Sequence, residues 1–202
     1  MDKIITIARE YGSGGREIGI KLAKKLGYKF YDKELISLAA DNEGLASDFI
    51  ASHEEQAPSL INGGFGDVSF ASFIYVPSYS DQIFFRQCDV LRQIADKGPC
   101  VIVGRCSDYV LREYDTVNCF IYSDIEAKIK RKRGIAREKK NYTDREMEKS
   151  IMTINKGRRK YYEHYTGSRW GDPENFDLCI NTTNGQTDAA VEAIASYIAS
   201  LK

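Results

Sequence analysis

The sequence predicts an α/β protein whose parallel β-sheet is covered by helices on both faces. Three observations indicate this class. The apolar runs at 4–8, 100–104 and 117–122 lack the alternation of a half-exposed strand, as is typical of strands buried on both faces. Amphipathic runs of helical spacing follow these strands, which is the order found in a parallel sheet with crossover helices. The 202 residues, of which 43% are hydrophobic, suffice for one domain with a sizeable core.

The overall composition argues against several classes of protein. The 29 basic and 29 acidic side chains balance, whereas a dedicated nucleic-acid-binding protein normally has a basic excess. No apolar run approaches the roughly 20 residues that span a bilayer, and the N-terminus lacks a signal segment. The five cysteines show no CxxC pairing, which favours buried reduced thiols over zinc ligands or disulfides. We therefore expect a soluble cytoplasmic protein that binds neither membranes nor nucleic acids.

The functional prediction depends on the first strand, the turn after it and the first helix. The strand at 4–8 leads into a turn with Gly12, Gly14 and Gly15, and an amphipathic helix then runs to Gly27. Glycines let the backbone turn tightly and approach a ligand with no Cβ atom in the way. Because backbone N–H groups and the positive end of the helix dipole converge here, the segment suits a phosphate.

The turn departs from the common phosphate-binding pattern G-x-x-x-x-G-K-[ST]. Gly15 stands in place of the lysine, Arg16 in place of the hydroxyl residue and Arg9 in place of the first glycine. These two arginines flank the turn, and the planar donor group of arginine matches phosphate oxygens. We therefore expect Arg9 and Arg16 to replace the missing ammonium group. The alternative is that the turn only joins strand to helix and that each arginine is a solvated charge.

The next part of the chain is predicted to form a second strand and a long excursion. The strand at 28–31 ends at Asp32, which either caps a helix from Lys33 to about residue 40 or contacts a ligand at the sheet edge. Residues 41–80 contain an acidic helix at about 45–55 and many aromatic side chains. A connection of this length is usually functional or disordered, and its aromatic content argues against simple disorder. We expect a flap over a substrate or an oligomer contact.

The remaining elements complete the predicted sheet. A helix at about 81–97 precedes the third strand, and Arg105 follows that strand. The fourth strand leads through Ser123 and Asp124 into a strongly basic helix, most of whose charges we interpret as a solvated face. A helix from about 143 to 165 begins with a capping box between Thr143 and Glu146. A strand at 176–181 and a helix at about 188–201 are the last predicted elements. The helix after Arg105, earlier in the chain, is expected to run to about residue 112.

Several motifs together resemble the cytidylate-kinase-like group of P-loop nucleoside-monophosphate kinases. They are the segments 7–19, 30–32, 103–105, 161–167 and 170–182, so the resemblance spans nearly the whole chain. It implies a three-layer α/β/α P-loop NTPase fold with a five-stranded parallel sheet. It also implies a single domain with its core at 1–40, 98–124 and 175–202, a monophosphate-binding excursion at about 41–97, and a lid-like helical region at about 125–174.

The resemblance implies transfer of the γ-phosphoryl group of ATP to a nucleoside monophosphate, with Mg²⁺ as the metal. The residues expected to bind ATP are Gly12, Ser13, Gly14, Gly15, Arg16 and Glu17. Those expected to bind the acceptor are Asp32, Arg105, Asn155 and Arg158, and those expected to act on the transferring group are Arg9, Arg16, Arg131 and Arg137. Arg16 replaces the hydroxyl ligand and Cys106 replaces an aspartate of the family, so the metal ligands stay unassigned, with Glu17 and Asp108 as the candidates. Asn155 replaces an aspartate that helps to recognise the acceptor in cytidylate kinases.

Three functions are consistent with these features. The first is an ATP-dependent phosphotransferase that acts on a small phosphorylated or hydroxylated acceptor, since phosphoryl transfer depends mainly on positioning and charge neutralisation. The second is a nucleotide-binding regulatory module without activity, which the missing lysine would explain. The third is an interaction protein whose aromatic segment 65–79 contacts another protein or forms a homodimer.

Overall fold

The computed structural model describes residues 3–33, 36, 78–135 and 142–201. Their strands form one five-stranded sheet in the order β2-β3-β1-β4-β5, and every pair is parallel. The strands are β1 (Ile4–Arg9), β2 (Lys29–Tyr31), β3 (Cys100–Val103), β4 (Thr116–Tyr122) and β5 (Leu178–Asn181). The predicted α/β class and the five-stranded parallel sheet are therefore confirmed.

Six helices lie between and after these strands within the described residues. They are α1 (Gly15–Leu26), α2 (Tyr79–Ala95), α3 (Ser107–Val110), α4 (Ile125–Ile135), α5 (Asp144–Thr166) and α6 (Thr187–Ser200), and a 3₁₀ turn spans Pro173–Asn175. Capping boxes at Ser78 and Thr143 fix the starts of α2 and α5, and the second of these was predicted from the sequence. Asp124 accepts a hydrogen bond from the N–H of Ala127 and so caps the start of α4.

The central strand β1 sends its side chains alternately to the two faces of the sheet. Ile4 and Ala8 join a buried cluster on one face with residues of α2 and α5. Ile5 and Ile7 join a cluster on the other face with residues of α1 and α6. Because both faces of β1 are covered, the strand is apolar without alternation, as the sequence indicated. The carboxyl ends of β1 and β3 therefore meet at one edge of the sheet, flanked by α1 and α5.

The helix predicted to follow Arg105 and to run to about residue 112 is shorter in the structure. The helix α3 is only four residues long, Ser107–Val110. Gly104, Arg105 and Cys106 have φ angles of 87°, 61° and 51°, and residues in this left-handed region cannot start an α-helix. The predicted helix at 45–55, most of the excursion and Arg137 lie outside the described residues.

Two further expectations concern membrane-spanning helices and the cysteines. Within them, no helix combines the length and the apolar character needed to cross a bilayer. The five cysteines are all free thiols, and four of them are buried while Cys179 is exposed. The prediction of buried reduced thiols is thus confirmed for all but Cys179.

The contact between α1 and the sheet generates a stability prediction. A Cβ atom on Gly19 would lie 2.7 Å from Cγ2 of Val103 and 3.0 Å from Cε2 of Phe30, so helix and sheet would have to separate. We expect Gly19→Ala to lower the free energy of unfolding by about 1–3 kcal/mol through overpacking. Denaturant unfolding followed by circular dichroism measures this change.

A matched control is Gly134→Ala in α4. A Cβ atom there meets no atom within 4 Å, so the substitution should leave the free energy of unfolding unchanged or raise it by up to about 1 kcal/mol. Equal effects of the two substitutions would contradict the packing argument.

Candidate functional site

The glycine turn presents an open helix N-terminus at the carboxyl end of β1. Gly12 and Gly14 have φ angles of 85° and 87°, which side-chain-bearing residues rarely adopt. Gly14 is the N-cap of α1, and no side chain of the described residues caps the helix there. The first N–H groups of a helix have no intrahelical partner, so those of α1 are positioned to bind an anion. Ser13 is fully buried, and its hydroxyl donates a hydrogen bond to the carbonyl of Glu10 at 2.9 Å, which makes its side chain structural.

The absence of side chains at Gly15 and Gly104 makes room for Arg9. A Cβ atom on Gly15 would lie 2.6 Å from Cβ of Arg9, so the position usually held by lysine has no space for any side chain. A Cβ atom on Gly104 would lie 2.1 Å from Nη1 of Arg9. The Arg9 side chain therefore passes beside the first residue of α1, and its guanidinium group lies against the end of β3. This placement is consistent with the expectation that Arg9 supplies the missing positive charge.

Helix α4 contacts the turn through three basic residues. Arg131 donates hydrogen bonds to the carbonyls of Gly12 at 2.9 Å and Thr182 at 3.2 Å. Lys128 is 7% exposed and forms an ion pair with Glu10 at 2.7 Å. The ammonium group of Lys132 lies 4.4 Å from the centre of the Tyr11 ring.

These contacts correct the interpretation of the basic helix as mainly a solvated face. Lys128 and Lys132 were not among the expected site residues. The signal that identifies them is their spacing from Arg131, because positions i, i+3 and i+4 share one face of a helix. Arg131 was expected at the transferring phosphoryl group, and in this structure its guanidinium group instead holds the backbone carbonyls of the turn and of the β5–α6 connection.

Helix α5 contacts the turn from the opposite side. Asn155 accepts a hydrogen bond from the N–H of Tyr11 at 2.7 Å, so its amide group fixes the backbone of the turn. Arg158 donates to the carbonyl of Arg9 at 3.2 Å, and its guanidinium carbon lies 5.6 Å from the centre of the Tyr11 ring. The Tyr11 ring thus contacts cations from both α4 and α5.

A small cavity of about 50 Å³ lies at the carboxyl ends of β1 and β3. We call it the acceptor-side cavity, and its lining residues are Ala8, Arg9, Lys33, Gly104, Arg105, Cys106, Asp108, Arg158, Tyr161, Tyr162 and Trp170. Four of these side chains are basic and one, Asp108, is acidic. The structure thus brings together three of the expected site residues, Arg9, Arg105 and Arg158. This excess of positive charge suits an anionic ligand.

The backbone around Arg105 is strained, which is often the case at functional sites. Left-handed φ angles at Arg105 and Cys106 each cost on the order of 1–2 kcal/mol. Arg105 is 8% exposed and lines the acceptor-side cavity. The strained turn is therefore what directs this buried guanidinium group towards the cavity.

Asp108 is held by a neighbouring tyrosine. Its Oδ2 atom accepts a hydrogen bond from the hydroxyl of Tyr162 at 2.6 Å, and the carboxyl is 7% exposed. Burial raises the pKa of Asp108 above its ordinary value, and the hydrogen bond from Tyr162 acts in the opposite direction. Burial likewise raises the pKa of Cys106 well above its ordinary value, so this thiol stays protonated at neutral pH.

Arg16 and Asp32 bind each other. Nε and Nη2 of Arg16 lie 2.8 Å and 2.7 Å from Oδ2 of Asp32, and the guanidinium carbon is 5.9 Å from the centre of the Phe30 ring. The side chain of Arg16 is therefore directed to the end of β2, not across the turn as its predicted role requires. Asp32 is buried, and its carboxylate forms an ion pair with Arg16 in this conformation.

The two candidate metal ligands lie apart and have other partners. Glu17 accepts a hydrogen bond from Thr187 at 2.9 Å and pairs with Lys21 at 2.7 Å, a contact that lowers the pKa of Glu17. Asp108 is bound to Tyr162 as described. No group of three or more His, Cys, Asp or Glu side chains in the described part of the chain is arranged to hold a metal ion.

The burial of Asp108 predicts a pH-dependent stability. Because its pKa is raised in the folded protein, the wild type loses stability relative to Asp108→Asn as pH rises above the ordinary value of 3.8. Tyr162→Phe removes the hydrogen bond that favours the charged form and should steepen this loss. Urea unfolding between about pH 4 and about pH 7.5 measures both effects. Parallel stability curves for all three proteins would contradict the stated cause.

Comparison with known proteins places this chain in a family. The model of the cytidylate kinase-like family matches residues 4–184. A cytidylate kinase from Saccharolobus islandicus is 25% identical, over 98% of this chain and 92% of that enzyme.

Solved structures agree with the fold. An uncharacterized protein from Eubacterium ventriosum is 27% identical and superimposes with a TM-score of 0.71 over 98% of this chain and 99% of its own. A shikimate kinase from Bacteroides thetaiotaomicron is 13% identical and has a TM-score of 0.58 over 98% and 99% of the two chains, which indicates a shared P-loop NTPase fold. The chain therefore belongs to the cytidylate kinase-like family.

Proposed function

We propose that the protein is an ATP-dependent phosphotransferase whose acceptor is a nucleoside monophosphate or a similar small phosphorylated compound. The observation that carries the proposal is the acceptor-side cavity, which lies at the end of β1, just before the glycine turn, and has four basic side chains against one carboxyl group. A donor phosphate at the N-terminus of α1 and an acceptor phosphate in this cavity would be neighbours. Membership of a kinase-like family and the likeness to a cytidylate kinase support the same reaction class.

The donor side consists of the turn and the first residues of α1. The backbone N–H groups of this segment bind the phosphates of ATP, and the helix dipole favours their negative charge. ATP enters as its magnesium complex, so the metal is part of the substrate. The contacts of α4 and α5 with the turn keep these N–H groups in one arrangement, which is what electrostatic preorganisation requires.

Arg9 takes the role that lysine has in the common pattern. Its side chain begins beside Gly15 and ends against Gly104, so it spans the distance from the donor side to the acceptor-side cavity. A guanidinium group there stabilises the charge that spreads over the transferring phosphoryl oxygens. Arg105 and Arg158 bind the acceptor phosphate from the other walls of the cavity.

The cavity suits a phosphorylated acceptor better than a hydroxylated one. An acceptor phosphate attacks through an oxygen that is already deprotonated, whereas a hydroxyl group must lose a proton to a base. In the transfer, the bond between the γ-phosphorus and the β–γ bridging oxygen of ATP breaks as a bond to the acceptor oxygen forms, and ADP leaves with the former bridging oxygen on its β-phosphate. No proton moves at the attacking atom. The one carboxyl group of the cavity, Asp108, is engaged by Tyr162 and is not required as a base.

A second function, nucleotide binding without transfer, is favoured by one observation. A side chain at position 15 would collide with Arg9, so no ammonium group can extend from the residue that normally provides it. In that case Arg9 would hold phosphate charge without promoting transfer. Saturable ATP binding without formation of any phosphorylated product distinguishes this function from the first.

An assay of phosphoryl transfer tests the proposal. The purified protein is incubated with magnesium–ATP and, separately, with CMP, UMP, AMP, GMP and shikimate, and the products are separated by ion-exchange chromatography. We expect a diphosphate from at least one monophosphate and no product from shikimate. Formation of shikimate phosphate alone, or of no product, would contradict the proposed acceptor class.

Substitution of Arg105 tests the assignment of the cavity. We expect Arg105→Ala to lower kcat/KM for the acceptor about 100-fold or more, because a charged donor to the phosphate is lost. Arg105→Lys keeps the charge and should retain part of the activity. Arg112→Ala removes an exposed arginine that stacks on Tyr109 outside the cavity, and it should leave kcat/KM unchanged. If the Arg105 and Arg112 variants behave alike, the cavity is not the acceptor site.

A further inference from the structure

A second concave surface lies on the other side of α5 from the acceptor-side cavity. It is a groove of about 360 Å³ over the face of the sheet at β4 and β5. We call it the β4–β5 groove. Adjacent residues of α5 face the two sites, since Arg158 lines the cavity and Arg159 lines the groove. Trp170 lines both sites and forms part of the wall between them.

The floor of the groove is aromatic. The rings of Phe120 and Tyr122 project from the same face of β4, with centroids 6.3 Å apart and planes inclined by 26°. Trp170 packs edge-on against Phe120 at 5.5 Å. Tyr122 is 37% exposed, so its ring is available to a flat ligand.

The wall of the groove beside this floor is closely packed. Gly171 has a φ angle of 77°, and a Cβ atom on it would lie 2.8 Å from Cζ of Phe120. The 3₁₀ turn that follows is capped by Asp172, which accepts a hydrogen bond from the N–H of Glu174 at 3.2 Å. These contacts fix the turn against the sheet, so the groove is preformed.

The charges of the groove favour an anion. Arg159 and Arg169 are exposed and line the groove, and neither guanidinium group forms an ion pair with any residue that the structure describes. The acidic residues of the groove already have partners. Glu10 pairs with Lys128 at 2.7 Å and accepts from the N–H of Ser123 at 3.1 Å, while Asp172 caps the 3₁₀ turn. Two guanidinium groups therefore remain for a ligand, and their planar donor groups match phosphate oxygens.

We propose that the β4–β5 groove is a second binding site that takes a small phosphate ester with an aromatic ring, the chemical class to which nucleotides belong. The ring stacks on Tyr122, and the phosphate binds Arg159 and Arg169. The site is distinct from the acceptor-side cavity and does not depend on phosphoryl transfer. Glu10 connects it to the glycine turn, because this residue lines the groove, precedes Tyr11 and pairs with Lys128 of α4. A ligand in the groove therefore contacts the same residue that holds α4 to the turn.

Titration calorimetry with phenyl phosphate tests the proposal. The groove variant is Arg159→Ala with Arg169→Ala, and the matched control is Lys156→Ala with Lys160→Ala, which removes the same charge from exposed positions of α5 outside the groove. We expect the groove variant to bind about tenfold more weakly or not at all, and the control to bind like the wild type. Equal binding by the groove variant and the wild type would overturn the proposal.

Two further measurements distinguish the other occupants. Inorganic phosphate lacks the ring and should bind the wild type about tenfold more weakly than phenyl phosphate does. Equal affinities would show that Tyr122 contributes nothing and would overturn the aromatic part of the proposal. Sedimentation should give the same mass for the wild type and the groove variant. A dimer that the groove variant abolishes would instead identify the groove as an interface between copies of the chain.

Discussion

The organisation of the site depends on one constraint, namely that the glycine turn carries no lysine of its own. A phosphate-binding turn needs positive charge besides its backbone N–H groups when the ligand is a polyphosphate. Here the space for a side chain at Gly15 is taken by Arg9, and all nearby cations come from other elements. Arg131 and Lys132 come from α4, and Arg158 comes from α5. The positions of these cations therefore depend on the packing of α4 and α5 against the turn.

The contacts that bring these cations also hold the backbone of the turn. Arg131 binds the carbonyl of Gly12, Arg158 binds the carbonyl of Arg9, and Asn155 binds the N–H of Tyr11. Each of these side chains comes from a helix outside the turn, so the packing of α4 and α5 fixes the conformation of the turn. In the proposed function, anion binding would therefore be linked to the packing of α4 and α5, since loss of either helix contact frees the backbone of the turn.

The sequence predicted the fold well because its main signals are local. The apolar strands and the amphipathic helices each follow from short-range patterns, and the capping box at Thr143 was identified from four residues. The glycine turn was predicted for the same reason. The aromatic floor of the β4–β5 groove was not predicted, because it forms only where β4 and the turn at 171–173 meet in three dimensions.

The charged residues were harder to predict because their partners are distant in sequence. Arg16 was expected across the turn, but the start of α1 directs it towards Asp32, sixteen residues away. Lys128 was assigned to a solvated face, although it is buried against Glu10. Burial and pairing of a charge are decided by tertiary packing, which a helical pattern of lysines and arginines does not reveal. The one sequence feature that indicates these contacts is the spacing of Lys128, Arg131 and Lys132, which places the three side chains on one face of α4.

The most direct test of the central claim is a crystal structure with a non-hydrolysable ATP analogue. The account predicts that the triphosphate lies at the N-terminus of α1, with the guanidinium group of Arg9 within hydrogen-bonding distance of a phosphate oxygen. An analogue bound elsewhere, or a triphosphate at the turn with Arg9 turned away from it, would contradict the account.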